Sequence, residues 1–407
     1  MELPELLAPA GNMTKLKIAL DYGADAVYCG GKEFGLRAKA DNFSRDELIA
    51  AVDYVHQRNK KIYLTLNIIP HNIDIEQMED FLSFLENINL DGLIISDPGV
   101  LQLIKDKDIS IPLHLSTQAN TVNWASVKFW QNQGLERVIL ARELNKEEIA
   151  EISSKTDVGL EVFIHGSMCI SYSGRCLLSN YLTNRDANRG NCSQPCRWKY
   201  NLVEEKRPGQ FFPIENDEQG TYIMNSKDLN LLEEIPALIE LGVESLKIEG
   251  RMKSVHYLAT VTGVYRQALD NFQENPEEFI IKDQWKKELK KVSHRPYTKG
   301  FFAGNPGSKG QNYGDSSYIR NYQYLGQVKG FLPDPGLAIV KVKNKICQGD
   351  SVEFFGPGGD ILKQKITTII DKNGELIDEA PHPESTIKIS VTNPIGENYI
   401  LRKKIKN

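Results

Sequence analysis

The chain has 407 residues, 41% of them hydrophobic and 25% charged, with a formal net charge of −5. That is the make-up of a globular protein with room for one large domain and a smaller one, and it excludes a uniformly basic nucleic-acid binder. Glu2, Pro4 and Glu5 break any apolar run at the start, no stretch reaches the length of a membrane span, and the cysteines read as reduced thiols of a cytosolic protein.

Taken in chain order, short apolar runs alternate with helical segments. The runs are ELLAPAG, ADAVYCG, KIYLTLNI, LDGLIISD, PLHLSTQA, LERVILAR, LEVFIHG and ESLKIEG. Between them lie amphipathic stretches such as SRDELIAAVDYVHQRN and IEQMEDFLSFLENI, apolar at every third or fourth position. Eight strand–helix units predict an α/β fold, a (β/α)8 TIM-like barrel. No GxGxxG follows the first strand, which argues against a doubly wound open sheet.

The seventh unit departs from the pattern. About sixty residues separate Gly166 from the helix LNLLEEIPALIELG, far beyond an ordinary βα loop. The insert, at about 166–225, holds a cysteine-rich stretch and then YNLVEE and QFFPIENDEQGTYIMN, which read as strands of a hairpin-like excursion. Loops after the strands build the active face of such a barrel, so the insert is where function is to be sought. From about Tyr297 the chain turns to short strands parted by turn signals such as Asn373-Gly374, which predicts a small C-terminal antiparallel β-barrel. The expected domains are 1–295, barrel with insert, and 296–407.

Four of the six cysteines, Cys169, Cys176, Cys192 and Cys196, follow the spacing C-x6-C-x15-C-x3-C. Four thiolates in one insert suit a zinc site or an iron–sulfur cluster, and the x6 gap fits the short zinc knuckles poorly. Cys29 and Cys347 read as packed small hydrophobes. The insert is locally basic, with Arg175, Arg185, Arg189 and Arg197; Lys282–Lys309 and the tail LRKKIKN are basic too. Basic patches on an acidic chain suit a tRNA-sized ligand better than DNA.

Strand ends supply the other candidates. Arg37, Arg142, Arg251 and Lys253 are candidate anion contacts, arginine above all because its planar fork pairs with a carboxylate. Lys247 and Glu249 alternate with apolar neighbours, so both point into the barrel, as catalytic groups or as a buried ion pair. His165 reads either as a proton donor or acceptor or as a hydrogen-bonded structural histidine. Asn67, Ser116 and Gln118 are candidates for the edge of an RNA base, and Tyr28 or Tyr172 for stacking on one.

The stretch Glu161-x-Phe163-x2-Gly166-Ser167-Met168-Cys169-x4-Gly174-x-Cys176-x-Leu178-Ser179 resembles the signature of peptidase family U32. The resemblance runs along the chain through ELLAPAG, ADAVYCGGKEFGLRAKADNFS, NSKDL, SLKIEGRMKS and GDSVEFFGPGG. Despite the family's name, no HExxH helix, GxSxG elbow or Ser-His-Asp order of a protease is present. The resemblance implies oxygen-independent hydroxylation. In the branch most similar in size and domain make-up, the product is 5-hydroxyuridine at the wobble position of tRNA, with prephenate as hydroxyl source. Related branches hydroxylate a ribosomal RNA cytidine or the ubiquinone ring. It implies a 4Fe–4S cluster, and Cys196 as fourth ligand with Cys29 in reserve, because Asn230 stands where one branch carries a cysteine after the SKDL motif. It implies two partners, the tRNA anticodon stem-loop and prephenate, whose two carboxylates call for the strand-end cations. The basic insert, with Arg185, Arg189 and Arg197, and the small β-domain are expected to grip the stem-loop together. Arg175 would serve the cluster or the phosphates. The rival is an RNA-binding or assembly module whose cluster is structural.

Overall fold

The computed structural model describes residues 3–34, 41–168, 178–183, 185, 192–193, 195, 216–217, 220–221, 226–306, 310 and 318–405. Strands β1 (Glu5–Ala10), β2 (Ala26–Gly30), β3 (Lys61–Leu66), β4 (Gly92–Ile95), β5 (Leu113–Leu115), β6 (Arg137–Ile139) and β7 (Gly159–Ser167) pair in parallel in chain order. A short antiparallel pair follows, β8 (Asn216–Asp217) and β9 (Gly220–Thr221), and then β10 (Asp228–Asn230). Strand β11 (Ser245–Ile248) pairs in parallel with both β7 and β1, which closes an eight-stranded barrel. All eight apolar runs are its strands.

Helices α1 (Met13–Asp21), α2 (Arg45–His56), α3 (Asn72–Leu85), α4 (Pro98–Asp106), α5 (Trp124–Asn132) and α6 (Lys146–Lys155) connect the first seven strands. Their starts follow from local chemistry. Ser44 accepts from the Glu47 backbone N–H while its own N–H donates to the Glu47 carboxylate, 2.8 Å away. Asn145 and Glu148 repeat this reciprocal cap, and Asp97 caps α4 with Pro98 at the first helical position.

Strand β7 continues past its neighbours, and β10 pairs antiparallel with its exit, with Asn230 opposite His165 and Asp228 opposite Ser167. Strand β12 (Tyr297–Thr298) then adds parallel to β10. The chain that leaves at β7 and returns at β10 is thereby fastened at its stem. Gly166, at φ 117, permits the crossing: a Cβ there would lie 2.5 Å from the Glu249 carbonyl oxygen.

The described residues form two compact units. Met1–Leu16, Asp25–Met252 and Arg295–Ser317 make the first, which includes the short helices α7 (Leu178–Thr183) and α8 (Ile235–Glu240); Lys17–Ala24, Lys253–His294 and Tyr318–Asn407 make the second. The second holds α9 (Val255–Glu274), α10 (Asp283–Leu289) and strands β13 (Tyr322–Leu332), β14 (Leu337–Val342), β15 (Ile346–Cys347), β16 (Ser351–Phe355), β17 (Ile361–Lys365), β18 (Ile369–Ile370), β19 (Glu379–Ala380), β20 (Thr386–Ser390) and β21 (Ile400–Lys404). Seven of these strands form an antiparallel sheet in the order β17-β16-β21-β13-β14-β20-β18, curled as a half-barrel around Leu325, Val340, Phe354 and Leu401. Its other face meets α10 through a buried, charge-balanced cluster. Lys291 lies 2.7 Å from both Glu288 and Glu353, and Arg402 joins the same two carboxylates.

Candidate functional site at the barrel mouth

Inside the barrel, polar residues alternate with apolar ones along the strands. Glu5 accepts from Arg137 at 2.7 Å, Tyr63 at 2.6 Å and Ser245 at 3.1 Å. Arg137 also lies 3.5 Å from Glu161, and Glu161 pairs with Lys247 at 2.6 Å. Two carboxylates and two cations thus share the interior in balance. Burial pulls the Lys247 ammonium below its ordinary pKa, against the pull of Glu161.

Beside this network lies His114, edge-on to Tyr63 at 4.7 Å. Burial, with Arg137 and Lys247 nearby, holds its imidazole well below its ordinary pKa; His256, in the second unit, is held neutral in the same way. Unfolding lets both histidines take up protons. Their contribution to stability is therefore complete above about pH 6.5 and is lost as the pH falls below it, by up to ~1.4 kcal/mol per pH unit for each. Urea unfolding between pH 7.5 and 5.5 is expected to show stability declining with acid, and a flat profile would contradict it.

The interior column ends at the mouth. The Lys247 ammonium stands 4.4 Å from the centre of the Tyr28 ring, and the Tyr28 hydroxyl donates to Ile248 O at 3.0 Å and reaches Glu249 Oε2 at 3.4 Å. Lys247 is buried and Glu249 is half-buried just past the strand, but the ion pair of Lys247 is with Glu161. Tyr28 is buried, so its ring packs on an ammonium.

Arg251 is 3% exposed and donates to Thr65 Oγ1 at 2.9 Å; Thr65 in turn donates to Cys29 O at 3.0 Å. Its guanidinium lies over Gly30, where a Cβ would come within 2.3 Å of Nη1. Arg142 donates to Ser167 O at 2.5 Å and stacks 4.5 Å from the Phe163 ring. It borders a small apolar cavity with Phe163, Leu229, Leu231, Phe302 and Lys299.

On the other side of the mouth, Asn67 Nδ2 donates to Ser116 Oγ at 3.2 Å, and Asn120 Nδ2 donates to Gln118 O at 2.7 Å. Asn67 Oδ1, Ser96 Oγ, Gln118 Oε1, Asn120 Oδ1 and Thr121 Oγ1 are buried without a hydrogen-bond partner. Buried polar atoms are costly to leave unpaired, so an amide and hydroxyl array of this kind calls for a ligand edge or ordered water. His165 is buried where β10 meets β7, its ring 5.2 Å from that of Tyr297. Lys253 belongs to the second unit, where it stands over the Tyr257 and Tyr318 rings.

Arg37, Cys169, Tyr172, Arg175, Cys176, Arg189, Cys196 and Arg197 lie outside the described residues. Cys192 and Arg185 are described and half-buried. Ser193, next to Cys192, donates from its backbone to Ser179 Oγ at 2.9 Å, and Thr183 Oγ1 lies 2.9 Å from Ser193 Oγ. This clasp fastens α7 to the Cys192 segment. Neither this clasp nor Glu5, Thr65, Arg137 and Glu161 is among the candidate site residues that the sequence offers. The last four carry one legible signal, a polar side chain at the inward position of a barrel strand.

Comparison with known proteins adds to this geometry. Residues 11–312 match the model of peptidase family U32, and residues 320–402 that of the peptidase family U32 C-terminal domain. The chain is 44% identical to tRNA hydroxylation protein P1 of Bacillus subtilis over 400 residues, 98% of this chain and 94% of that protein. It is 38% identical to tRNA hydroxylation protein P of Escherichia coli, across 98% and 96% of the two chains. The 23S rRNA 5-hydroxycytidine C2501 synthase of Escherichia coli is 40% identical over 267 residues, 65% of this chain and 39% of that protein.

Proposed function

Because the chain belongs to peptidase family U32, we propose that it is a tRNA-modifying enzyme that converts wobble uridine to 5-hydroxyuridine without oxygen, with prephenate as hydroxyl source. The observation that carries this reading is likeness across both units to proteins named for tRNA hydroxylation. Replacing C5–H by C5–OH takes two electrons and one proton from the ring carbon. The step balances when prephenate, as it gives up its hydroxyl, takes up both electrons and the proton and leaves with hydrogen in place of that hydroxyl. It needs a held base, a held donor and a group that moves the proton. Asn67, Gln118 and Ser116 supply hydrogen-bonding groups for the base edge. Arg251 and Arg142 supply guanidinium groups for the carboxylates of prephenate, a pairing that charge assists. His165 and Glu249 are the proton-moving candidates.

A 4Fe–4S cluster bound by Cys169, Cys176, Cys192 and Cys196 would supply the electron chemistry. Four thiols in one insert fit its donor demand, and the clasp of Ser179 on Ser193 steadies the segment that bears Cys192. Burial pushes the Cys29 thiol up to about 12, so Cys29 is a poor thiolate donor beside Cys196. Protein purified without oxygen is expected to be brown and to contain iron and sulfide in near-equal amounts, with Cys192→Ser lowering both. Stoichiometric zinc without sulfide would remove the cluster from the proposal.

The function is tested by mass spectrometry of tRNA nucleosides from a deletion strain. Loss of 5-hydroxyuridine and its derivatives, restored by the intact gene, is the expected result. An unchanged level in the deletion strain would overturn the proposal.

A further inference from the structure

The second unit carries a charged face that the barrel mouth does not use. Along β14, the core residues Ala338, Val340 and Val342 alternate with Ile339 and Lys341, and Lys343 continues the outward row just past the strand end. Lys341 and Lys343, two residues apart, stand about 7 Å apart on one face. On β20, Lys388 lies opposite Ile339 in the register, between the core residues Ile387 and Ile389. On β13 the pairing with β14 slips between Val328 and Gly330, so Lys329 is the extra residue of a β-bulge and is exposed. Bulges re-aim side chains in this way. Lys17 of α1, also exposed, belongs to the same unit and acts on Lys329 through space.

Carboxylates stand against the three central lysines. Glu397 acts on Lys329, and Glu384 bridges Lys341, at 3.5 Å, and Lys343. Glu384 has φ 68, a left-handed conformation that a side chain other than glycine seldom adopts. Backbone of this kind collects at functional positions. Here it sets a carboxylate between two ammonium groups that would otherwise repel. Partial desolvation and then the repulsion of Lys17, Lys343 and Lys341 hold Lys329 below its ordinary pKa against the pull of Glu397, and an added anion would offset that repulsion.

We propose that Lys329, Lys341 and Lys343, with Lys17 and Lys388 beside them, dock the phosphate backbone of the tRNA substrate, and that a phosphate displaces the Glu384 carboxylate from Lys341 and Lys343. The inference rests on the tRNA reading above. A row of ammonium groups along adjoining strands matches a ligand whose negative charges recur along a chain. A net positive face on a chain of net charge −5 concentrates that attraction in one place.

The experiment measures binding of an unmodified tRNA transcript to the full chain across a range of salt concentrations. Lys341→Ala/Lys343→Ala is expected to weaken binding about tenfold and to flatten the salt slope by roughly 1.5 units, as two lost phosphate contacts imply. Glu384→Gln, which removes the competing carboxylate, is expected to tighten binding severalfold. The control Lys365→Ala/Lys372→Ala, elsewhere in the same unit, should leave affinity unchanged. If the parent protein binds tRNA and the lysine variant binds it with unaltered affinity and slope, the surface is wrong and the tRNA reading stands. If Glu384→Gln weakens binding, the displacement is wrong. If the parent itself fails to bind tRNA, both readings fall together.

Discussion

Glu161→Ala is expected to lower the stability of the barrel unit by about 3–5 kcal/mol, the cost of leaving a buried charge without its partner. Glu161 is fully buried, 2.6 Å from Lys247 and 3.5 Å from Arg137. Its removal leaves Arg137 with Glu5, and leaves Lys247 without an ion-pair partner and with only the through-space attraction of Glu249. Part of the cost is capped because burial already favours the neutral form of Lys247, which can shed its proton. Chemical unfolding checks the size. A companion variant, Glu161→Leu/Lys247→Met, should recover most of the loss, since a buried pair replaced by apolar residues is often neutral. A single variant within about 1 kcal/mol of the parent would show that the column is open to water.

Arg251→Ala is expected to reduce the efficiency of prephenate use by about 30- to 150-fold, equivalent to 2–3 kcal/mol for a lost charge-assisted contact. The guanidinium is held by Thr65 and packed over Gly30, so it is positioned before any ligand arrives. Gly30→Ala tests position apart from charge. The new Cβ would fall 2.3 Å from Nη1 and push the guanidinium aside while leaving its charge in the protein. Both variants should raise the prephenate concentration needed for half-maximal hydroxylation, with tRNA affinity retained. Unchanged dependence on prephenate in Arg251→Ala would take this residue out of the site.

The barrel was legible because its signal is local. Each strand is a short apolar run bounded by turn residues, and each helix shows its own period and caps, so eight repeats of one unit suffice to name the fold. The anomalous insert after β7 was legible for the same reason, as a break in a regular count. The alternation of Lys247 with apolar neighbours agrees with its buried place against Glu161, while Glu249, half-buried just past the strand, reaches the Tyr28 hydroxyl.

Partners were not legible. Lys247 pairs with Glu161, which lies 86 positions earlier in the chain, and neither position predicts the other without the register of β7 against β11. Arg251 follows its strand directly, as an anion contact should, yet the bond to Thr65 that orients it depends on closure of the barrel. The addition of β10 and β12 to the exit of β7 joins segments that have no common sequence pattern. The lysine face of the second unit is spread over Lys17, Lys329, Lys341, Lys343 and Lys388, and as a row of residues it is an unremarkable scatter of charge. Sequence by itself determined the elements, because propensity, periodicity and capping act within a few residues. Only tertiary structure decided which charges meet, because Coulomb attraction and the cost of burial depend on distances through space that the order of residues does not contain.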